Sequence, residues 1–229
     1  TGRVEGVREG TVIAALLVGP VTHFIVPYCR IFDRWLTGRT SSQQSEMDVA
    51  NHVHDSVVIT IAREFGSGGR LLGQMLASRL GIKFYDKELI SGPIEKSLSS
   101  ADQLFVAQSR VIRKLAGEGP CVIIGRCADY ILKDRLEKSV IRVFCYSDPE
   151  SAYRRCVDEY HLDPAQARTE IARINRARGD HYQHYTGHKW DDPHNYDLVI
   201  DTGSIRLEDA CALVTRLYHE RMQEIAPNK

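Results

Sequence analysis

The sequence predicts an α/β fold built on a doubly wound, parallel five-stranded sheet. From residue 57 onward, short apolar runs that suit strands alternate with longer stretches that place their apolar residues on one helical face. Strands joined through helices pair in parallel, and such sheets are covered on both faces. With 229 residues, 43% of them hydrophobic and 26% charged, the chain has the ordinary composition of a globular protein.

The first predicted strand, residues 57–62 (VVITIA), is rich in β-branched residues. A glycine-rich turn follows it, and residues 69–80 then predict an amphipathic helix. Ser100 and Gln103 are spaced for a capping box at the start of the next helix. The remaining predicted strands are residues 83–85, 121–124, 140–145 and 198–200, and the remaining helices are residues 100–115, 149–160, 164–185 and 207–224.

The N-terminal part of the chain differs from the rest and predicts three segments. Residues 1–36 are a hydrophobic segment, residues 37–56 a polar linker, and residues 57–229 the α/β domain. Residues 11–29 carry no charge. As a helix they would extend about 28 Å, close to the thickness of the bilayer core.

Two interpretations of residues 11–29 stay open. Two prolines weaken a membrane-spanning helix, and the alternative is an apolar hairpin packed on the rest of the chain. Arg30, Arg34 and Arg39 follow the segment and are typical of a cytoplasmic flank. Residues 8–32 also resemble the last span of a family of small bacterial multi-span membrane proteins, which would imply membrane contact.

Charge and cysteine content limit the function classes. Thirty Lys and Arg residues balance thirty Asp and Glu residues, which argues against a nucleic acid polymer as partner. The six cysteines include no C-x-x-C pair, and most lie in apolar runs, as reduced buried thiols do. We therefore expect a cytoplasmic protein, and any membrane association would come from the N-terminal segment.

The turn after the first strand has the composition of a phosphate-binding loop. Gly66, Ser67, Gly68 and Gly69 lead directly into the predicted helix. Glycines let successive backbone N–H groups point into one concavity, and the helix N-terminus adds partial positive charge. Arg70 stands where G-x-x-x-x-G-K-S/T loops carry their lysine, and its guanidinium can also contact phosphate. These five residues are the predicted site for a di- or triphosphate.

Two positions depart from that motif. Glu64 occupies the place of its first glycine, and Leu71 the place of the hydroxyl residue that binds Mg²⁺. A glycine turn before a helix is also common as simple packing. The loop alone therefore leaves function and packing both open.

Four segments together resemble the cytidylate kinase-like family, a branch of the P-loop nucleoside monophosphate kinases. Within residues 57–223 they are ITIAREFGSGGRLLGQMLASRLGIKFYDKELI, VIIGRCADYIL, RVFCYSDPESAYRRCV and HYQHYTGHKWDDPHNYDLVIDTG. The resemblance implies a P-loop kinase-type fold with a helical lid, ATP and Mg²⁺ as cofactors, and transfer of the γ-phosphate to CMP or dCMP. Asp129 is displaced from the aspartate of the family's Gly-Arg-Asp motif, so its role stays open.

The same resemblance implies roles for individual residues. Arg126 would hold the phosphate of the acceptor, and Asp86 would lie beside the acceptor nucleoside. Arg178, with Arg173 as a second choice, would act from the lid on the transferring phosphoryl group. Together with Arg70, these arginines are the candidate catalytic residues. A solvated helix face is the competing interpretation of the two lid arginines.

Other polar residues carry weaker hypotheses. Asp148 and Asp201 are candidate Mg²⁺ contacts, although Asp148 is expected chiefly to cap a helix, and the metal ligands are otherwise undetermined. Arg154 and Arg155 occupy positions where relatives carry paired arginines near the nucleotides. Cys127 has no base beside it and is expected to be a packed side chain rather than a nucleophile.

Two alternatives to a cytidylate-type kinase stay open. One is a nucleotide-binding regulatory module with decayed catalysis, attached to a membrane protein, which Glu64 and Leu71 favour. The other is a kinase of another small metabolite, because the fold alone does not fix the acceptor. Arg70, Arg126 and Arg178 favour a working kinase, since phosphoryl transfer needs positive charge and alignment.

Overall fold

The computed structural model describes residues 56–90, 100–134 and 139–225. Its strands are β1 (Val58–Arg63), β2 (Lys83–Tyr85), β3 (Cys121–Ile124), β4 (Val140–Tyr146) and β5 (Leu198–Asp201). They form a five-stranded sheet in the order β2-β3-β1-β4-β5, and all neighbouring pairs are parallel. The predicted parallel sheet is confirmed.

The helices are α1 (Gly69–Leu80), α2 (Ala101–Gly117), α3 (Ala128–Ile131), α4 (Pro149–Asp158), α5 (Pro164–Thr186) and α6 (Leu207–Ile225). The helices α4 and α5 begin with proline, after Asp148 and Asp163, whose carboxylates accept bonds from backbone N–H groups. The capping box predicted at Ser100 was wrong. Ser100 precedes α2 in an extended conformation, but its side chain makes no capping bond.

Helices cover both faces of the sheet, as the doubly wound prediction requires. One buried cluster joins β1 to α1 and α6 through Ile59, Leu72 and Val214, all of them fully buried. A second cluster joins β3 to α2 through Ile123 and Ile112. Burial of such side chains stabilises a fold by about 25 cal/mol per Å² of apolar area removed from water. The two faces therefore hold the central strands in a fixed frame.

The predictions for residues 1–36 and 37–56 lie outside the described residues. They include membrane contact through residues 11–29, and the three-segment division stays a prediction. In the part of the chain that the structure describes, every helix is too short or too polar to cross a membrane.

The strand order brings the carboxyl ends of β1, β3 and β4 side by side. Ile61 of β1 pairs with Ile124 of β3, and Arg63 of β1 pairs with Cys145 of β4. The segments that leave these strands therefore start next to one another. This is the edge at which parallel α/β sheets bind their ligands.

We expect Gly73→Val to destabilise the fold by about 1–3 kcal/mol, because it overpacks the contact between α1 and the sheet. A Cβ atom at Gly73 would lie 2.5 Å from Ile124 Cδ1 and 3.1 Å from Phe84 Cε2. The free energy of unfolding in urea measures the effect. Gly179→Val in α5 is the matched control, because a Cβ atom there meets no atom within 4 Å. Equal losses in the two variants would contradict the expectation.

Candidate functional site

The loop between β1 and α1 is a tight turn that depends on glycine. Gly66 and Gly68 have φ angles of 83° and 74°, in the left-handed region that favours glycine. Ser67 is fully buried, and its hydroxyl donates to the Glu64 carbonyl oxygen at 2.9 Å. The same hydroxyl accepts from the N–H of Gly69 at 3.3 Å. The predicted phosphate-binding residues therefore form one compact structure.

The N-terminus of α1 offers free backbone donors to an anion. The first hydrogen bond of this helix runs from Leu72 N–H to Gly68 O over 3.0 Å. The N–H groups of Arg70 and Leu71 come before it and have no carbonyl partner within the helix. The first turn of α1 contains no acidic residue that would repel an anion. The loop and helix start can therefore hold phosphate oxygens.

Side chains from two other elements hold the outer side of this loop. Arg155 in α4 donates to Gly66 O over 2.6 Å and to Thr202 O over 3.3 Å. The hydroxyl of Thr202 donates to Ser67 O over 2.5 Å. These bonds engage two carbonyl oxygens that would otherwise repel a phosphate. Arg155, expected near the nucleotides, thus contacts the loop itself.

Arg63, Arg126 and Arg178 form a group that we call the arginine cluster. Arg178 Nη1 donates to Arg63 O over 2.8 Å. Burial and the charges of Arg178 and Arg126 together lower the pKa of Arg63 to about 9. Burial also lowers the pKa of Arg178 to about 10, with a contribution from Arg126. The three positive charges therefore lie close enough to repel one another.

A bound anion would relieve the repulsion within the arginine cluster, because guanidinium groups bind phosphate oxygens through paired hydrogen bonds. The structure brings together Arg126 and Arg178, as the family resemblance implies. Arg63 was missed in the sequence analysis. The sequence offered one signal for Arg63, because it is a charged residue at the end of a predicted buried strand and directly before the glycine loop.

The turn after β3 positions Arg126 by an uncommon backbone conformation. Gly125, Arg126 and Cys127 have φ angles of 67°, 59° and 55°, so three consecutive residues are left-handed. For a residue with a Cβ atom this costs roughly 1–2 kcal/mol. The side chain of Arg63 lies over Gly125 so closely that a Cβ atom there would collide with its guanidinium. The turn thus brings Arg63 and Arg126 together.

A buried hydrogen bond connects this turn to α5. Tyr182 in α5 donates its hydroxyl to Asp129 Oδ2 in α3 over 2.6 Å, and both residues are buried. Burial raises the pKa of Asp129, and the bond from Tyr182 opposes that shift. Asp129, whose role the sequence left open, therefore holds α5 against the turn. Because Arg178 lies one helical turn before Tyr182, the bond also positions the arginine cluster.

Arg70 and Asp86 pair with each other. Arg70 Nη2 lies 2.6 Å from Asp86 Oδ2. Although burial opposes it, the hydrogen bonds from Arg70 and neighbouring groups hold the pKa of Asp86 below its usual range. Arg70 also lowers the pKa of Arg63 slightly, so its charge is felt at the arginine cluster. The roles expected of Arg70 in phosphate binding and of Asp86 in acceptor binding stay predictions.

Arg173 lies apart from the arginine cluster. Its guanidinium is exposed and makes two hydrogen bonds to Glu170 on the same helix, over 2.6 and 2.8 Å. Such exposed pairs contribute little to stability, because water screens their charges. The structure does not bring Arg173 to the other candidate catalytic residues, and its expected role has no support from its contacts.

The residues expected to contact Mg²⁺ have other partners. Asp148 accepts bonds from the N–H groups of Glu150 and Ser151, and Asp201 accepts one from Gly203. Among the described residues, no three His, Cys, Asp or Glu side chains are grouped to hold a metal. An Mg²⁺ ion would therefore be held mainly by phosphate oxygens and water, as is common for this ion.

The fold and the loop after β1 define a P-loop kinase-type protein. The model of the cytidylate kinase-like family matches residues 58–99 and 90–204, and the chain belongs to that family. Family membership supports nucleotide-dependent phosphoryl transfer and makes the chain a kinase-type transferase. No curated protein matches the chain significantly.

Solved structures share this fold. An uncharacterised protein from Eubacterium ventriosum is 28% identical, with a TM-score of 0.65 over 72% of this chain and 99% of its own. Shikimate kinase from Acinetobacter baumannii, in complex with shikimate, is 16% identical, with a TM-score of 0.48 over 75% of this chain and 97% of its own. The APS kinase CysC of Mycobacterium tuberculosis, in complex with AMPPNP and APS, is 19% identical, with a TM-score of 0.49 over 72% and 98%.

We expect Tyr182→Phe to lower the free energy of unfolding by about 1–3 kcal/mol, because it leaves the buried Asp129 carboxyl without its donor. Urea denaturation measures the loss. The matched control is Tyr185→Phe, since the hydroxyl of Tyr185 donates to exposed Asp102 over 3.2 Å. The control should lose less than about 0.5 kcal/mol. Similar losses of unfolding free energy in both variants would show that the buried Tyr182–Asp129 hydrogen bond stabilises the fold no more than the exposed one.

We also expect the described cysteines to resist alkylation while the chain is folded. All five are buried thiols: Cys121, Cys127, Cys145, Cys156 and Cys211. Burial raises the pKa of Cys127 to about 12 from 9.0, which lowers the thiolate fraction near neutral pH roughly a thousandfold. Mass spectrometry after iodoacetamide treatment measures modification, with chain unfolded in guanidinium chloride as control. Rapid modification of native Cys127 would revive a nucleophilic role.

Proposed function

We propose that this protein transfers the γ-phosphate of ATP to a nucleoside monophosphate, with CMP or dCMP as the favoured acceptor. The observation that carries the proposal is the position of the arginine cluster next to the glycine loop. The γ-phosphate of ATP and the phosphate of the acceptor must approach each other, although both are negatively charged. A cluster of partly buried arginines beside a backbone anion site is suited to hold them.

The glycine loop serves the donor in this proposal. The N–H groups at the start of α1 bind phosphate oxygens of ATP, while Arg155 and Thr202 keep the carbonyl oxygens of the loop engaged elsewhere. A bound Mg²⁺ would supply further positive charge beside the phosphate oxygens. Leu71 contributes no oxygen to it.

The arginine cluster serves the acceptor and the transferring group. Arg126 binds the phosphate of the nucleoside monophosphate, and Arg178 stabilises the charge that spreads over the phosphoryl oxygens. Arg63, although its pKa is lowered to about 9, stays protonated at neutral pH and adds its charge. The acceptor already carries an ionised phosphate, so the reaction needs little base catalysis.

Helix α5 is the proposed lid element, because it carries Arg178 and contacts the loop. The side-chain carbonyl of Asn175 accepts from Phe65 N–H over 2.7 Å, and Arg178 binds Arg63 O over 2.8 Å. A movement of α5 would therefore carry a guanidinium on and off the phosphates. Closure of such an element also excludes water from the phosphoryl group.

The competing function is a nucleotide-binding regulatory module without catalysis. Leu71 favours it, because this exposed apolar side chain stands where a hydroxyl would bind Mg²⁺. Glu64 favours it as well, because its carboxylate adds negative charge beside the loop. A kinase of a different small metabolite is the third candidate, and the acceptor tested below separates it from the first.

The decisive experiment measures ADP formation from ATP and Mg²⁺ by the full chain, with CMP, dCMP, UMP, AMP and GMP in turn and with shikimate as an acceptor that is not a nucleotide. We expect turnover with CMP or dCMP, and a loss of about 10²–10³ in kcat/KM on Arg126→Ala. Arg216→Ala is the control, because Arg216 is exposed on α6 and pairs with Glu220. It should change kcat/KM less than about twofold.

Three results would reject the proposal. ATP binding without turnover on any acceptor would favour the regulatory module. Turnover only with an acceptor that is not a nucleotide would favour the third candidate. Unchanged activity in Arg126→Ala would remove the arginine cluster from the mechanism, whatever the acceptor.

A further inference from the structure

A cavity of about 330 Å³ lies beside the arginine cluster and has a different chemical character. It is bounded by Glu64 after β1, by one face of α5 and by residues 189–191. Glu64 directly follows Arg63, and the cavity-lining Gly179 directly follows Arg178. Both the end of β1 and helix α5 therefore contribute one residue to the arginine cluster and the next residue to the cavity. One ligand molecule can contact the cluster with one part and the cavity with another.

The lining of this cavity favours hydrogen-bond donors. Three carboxylates line it, from Glu64, Asp180 and Asp191, together with the amides of Asn175 and Gln183. Lys189 is the one basic residue among them. With three acidic groups against one basic group, the cavity repels a phosphate. It attracts a neutral group that carries N–H donors.

The carboxylates of Glu64 and Asp191 lie close enough to repel each other. Burial raises the pKa of Glu64, and the charge of Asp191 raises it further, while the backbone N–H of Ser147 opposes the shift. A donor group placed between Glu64 and Asp191, which both line the cavity, would bond to their carboxylate oxygens and relieve the repulsion between them.

Trp190 adds a fixed aromatic surface to the cavity. Its ring packs edge-on against Phe144, with centroids 5.2 Å apart, and its backbone carbonyl accepts from Tyr196 Oη over 2.6 Å. An indole held in this way suits a flat ring, because aromatic rings stack on bases of any sequence. Carboxylates alone would suit any donor, but carboxylates beside an aromatic ring suit a nucleobase.

We propose that this cavity binds a nucleobase through its exocyclic amino group, with the phosphates of the same nucleotide directed to the arginine cluster and the loop. Glu64 and Asp191 accept from the amino group, and Trp190 packs on the ring. A keto group in the same place would meet carboxylate oxygens and be repelled. The inference rests on the proposed function for its substrates, since both ATP and CMP carry an amino-bearing base.

Nucleosides test the cavity without any phosphoryl transfer. In the full chain carrying Trp35→Phe, Trp190 is the only tryptophan, so its fluorescence can report binding, with calorimetry as a second measurement. Cytidine should bind at least about tenfold more tightly than uridine, or adenosine at least about tenfold more tightly than inosine. Each pair differs by an amino group against a keto group. Preference for cytidine assigns the cavity to the acceptor, and preference for adenosine assigns it to ATP.

The isosteric variants Asp191→Asn and Glu64→Gln should each reduce that preference to about twofold or less. The control Glu220→Gln removes an exposed carboxylate of α6 far along the chain and should preserve it. Circular dichroism checks that each variant is folded, and either folded variant decides the test. Equal affinity for amino and keto nucleosides, or an unchanged preference in the folded variants, overturns the proposal.

The two proposals fail separately. Selective nucleoside binding without ADP formation on any acceptor retains the cavity assignment and rejects the kinase function. ADP formation without amino selectivity retains the kinase and rejects this role for the cavity.

Discussion

The site depends on holding three guanidinium groups within reach of one another against their mutual repulsion. Burial and like charge lower the pKa of Arg63 to about 9, which is the measurable sign of the cost. The fold holds the three arginines in place against this repulsion by putting each of them on a different structural element. Arg63 ends the central strand, Arg126 sits in a left-handed turn after β3, and Arg178 comes from α5. Arg178 donates to the Arg63 carbonyl oxygen in a hydrogen bond that no anion is needed to form, so part of the positive site is organised before any phosphate arrives.

The sequence could predict the parts of this arrangement that are local or set by topology. Alternating apolar runs predict the parallel sheet, because period and spacing carry that information along the chain. Gly66 and Gly68 predict a tight turn because glycine readily adopts a left-handed backbone conformation. Both residues have positive φ angles in the structure. Arg126 could be anticipated from the family resemblance and because it directly follows a buried strand, at the end where parallel sheets bind ligands.

The sequence could not predict which side chains meet across long distances. Tyr182 and Asp129 are 53 residues apart, and Arg178 and Arg63 are 115 apart. Such pairs depend on the rotation of α5 about its axis, which tertiary packing sets. Arg173 and Arg178 lie five positions apart in α5. Arg173 pairs with Glu170 at the surface, whereas Arg178 donates to the carbonyl oxygen of Arg63. The family resemblance placed Arg178 before Arg173, and the contacts of the two residues in the fold differ in the same sense.

Glu64 shows how a departure from a motif can carry information. The motif places glycine there so that backbone can approach phosphate closely, and a carboxylate at that position looks like damage when only phosphate binding is considered. In the structure Glu64 lines the cavity that Asp191 and Trp190 also line. Between Arg63 and Glu64 the chain therefore passes within one residue from the cationic to the acidic side of the site. A nucleotide has the same polarity, with its phosphates at one end and the donor groups of its base at the other, and this match is the reason for proposing Glu64 as part of a divided binding site.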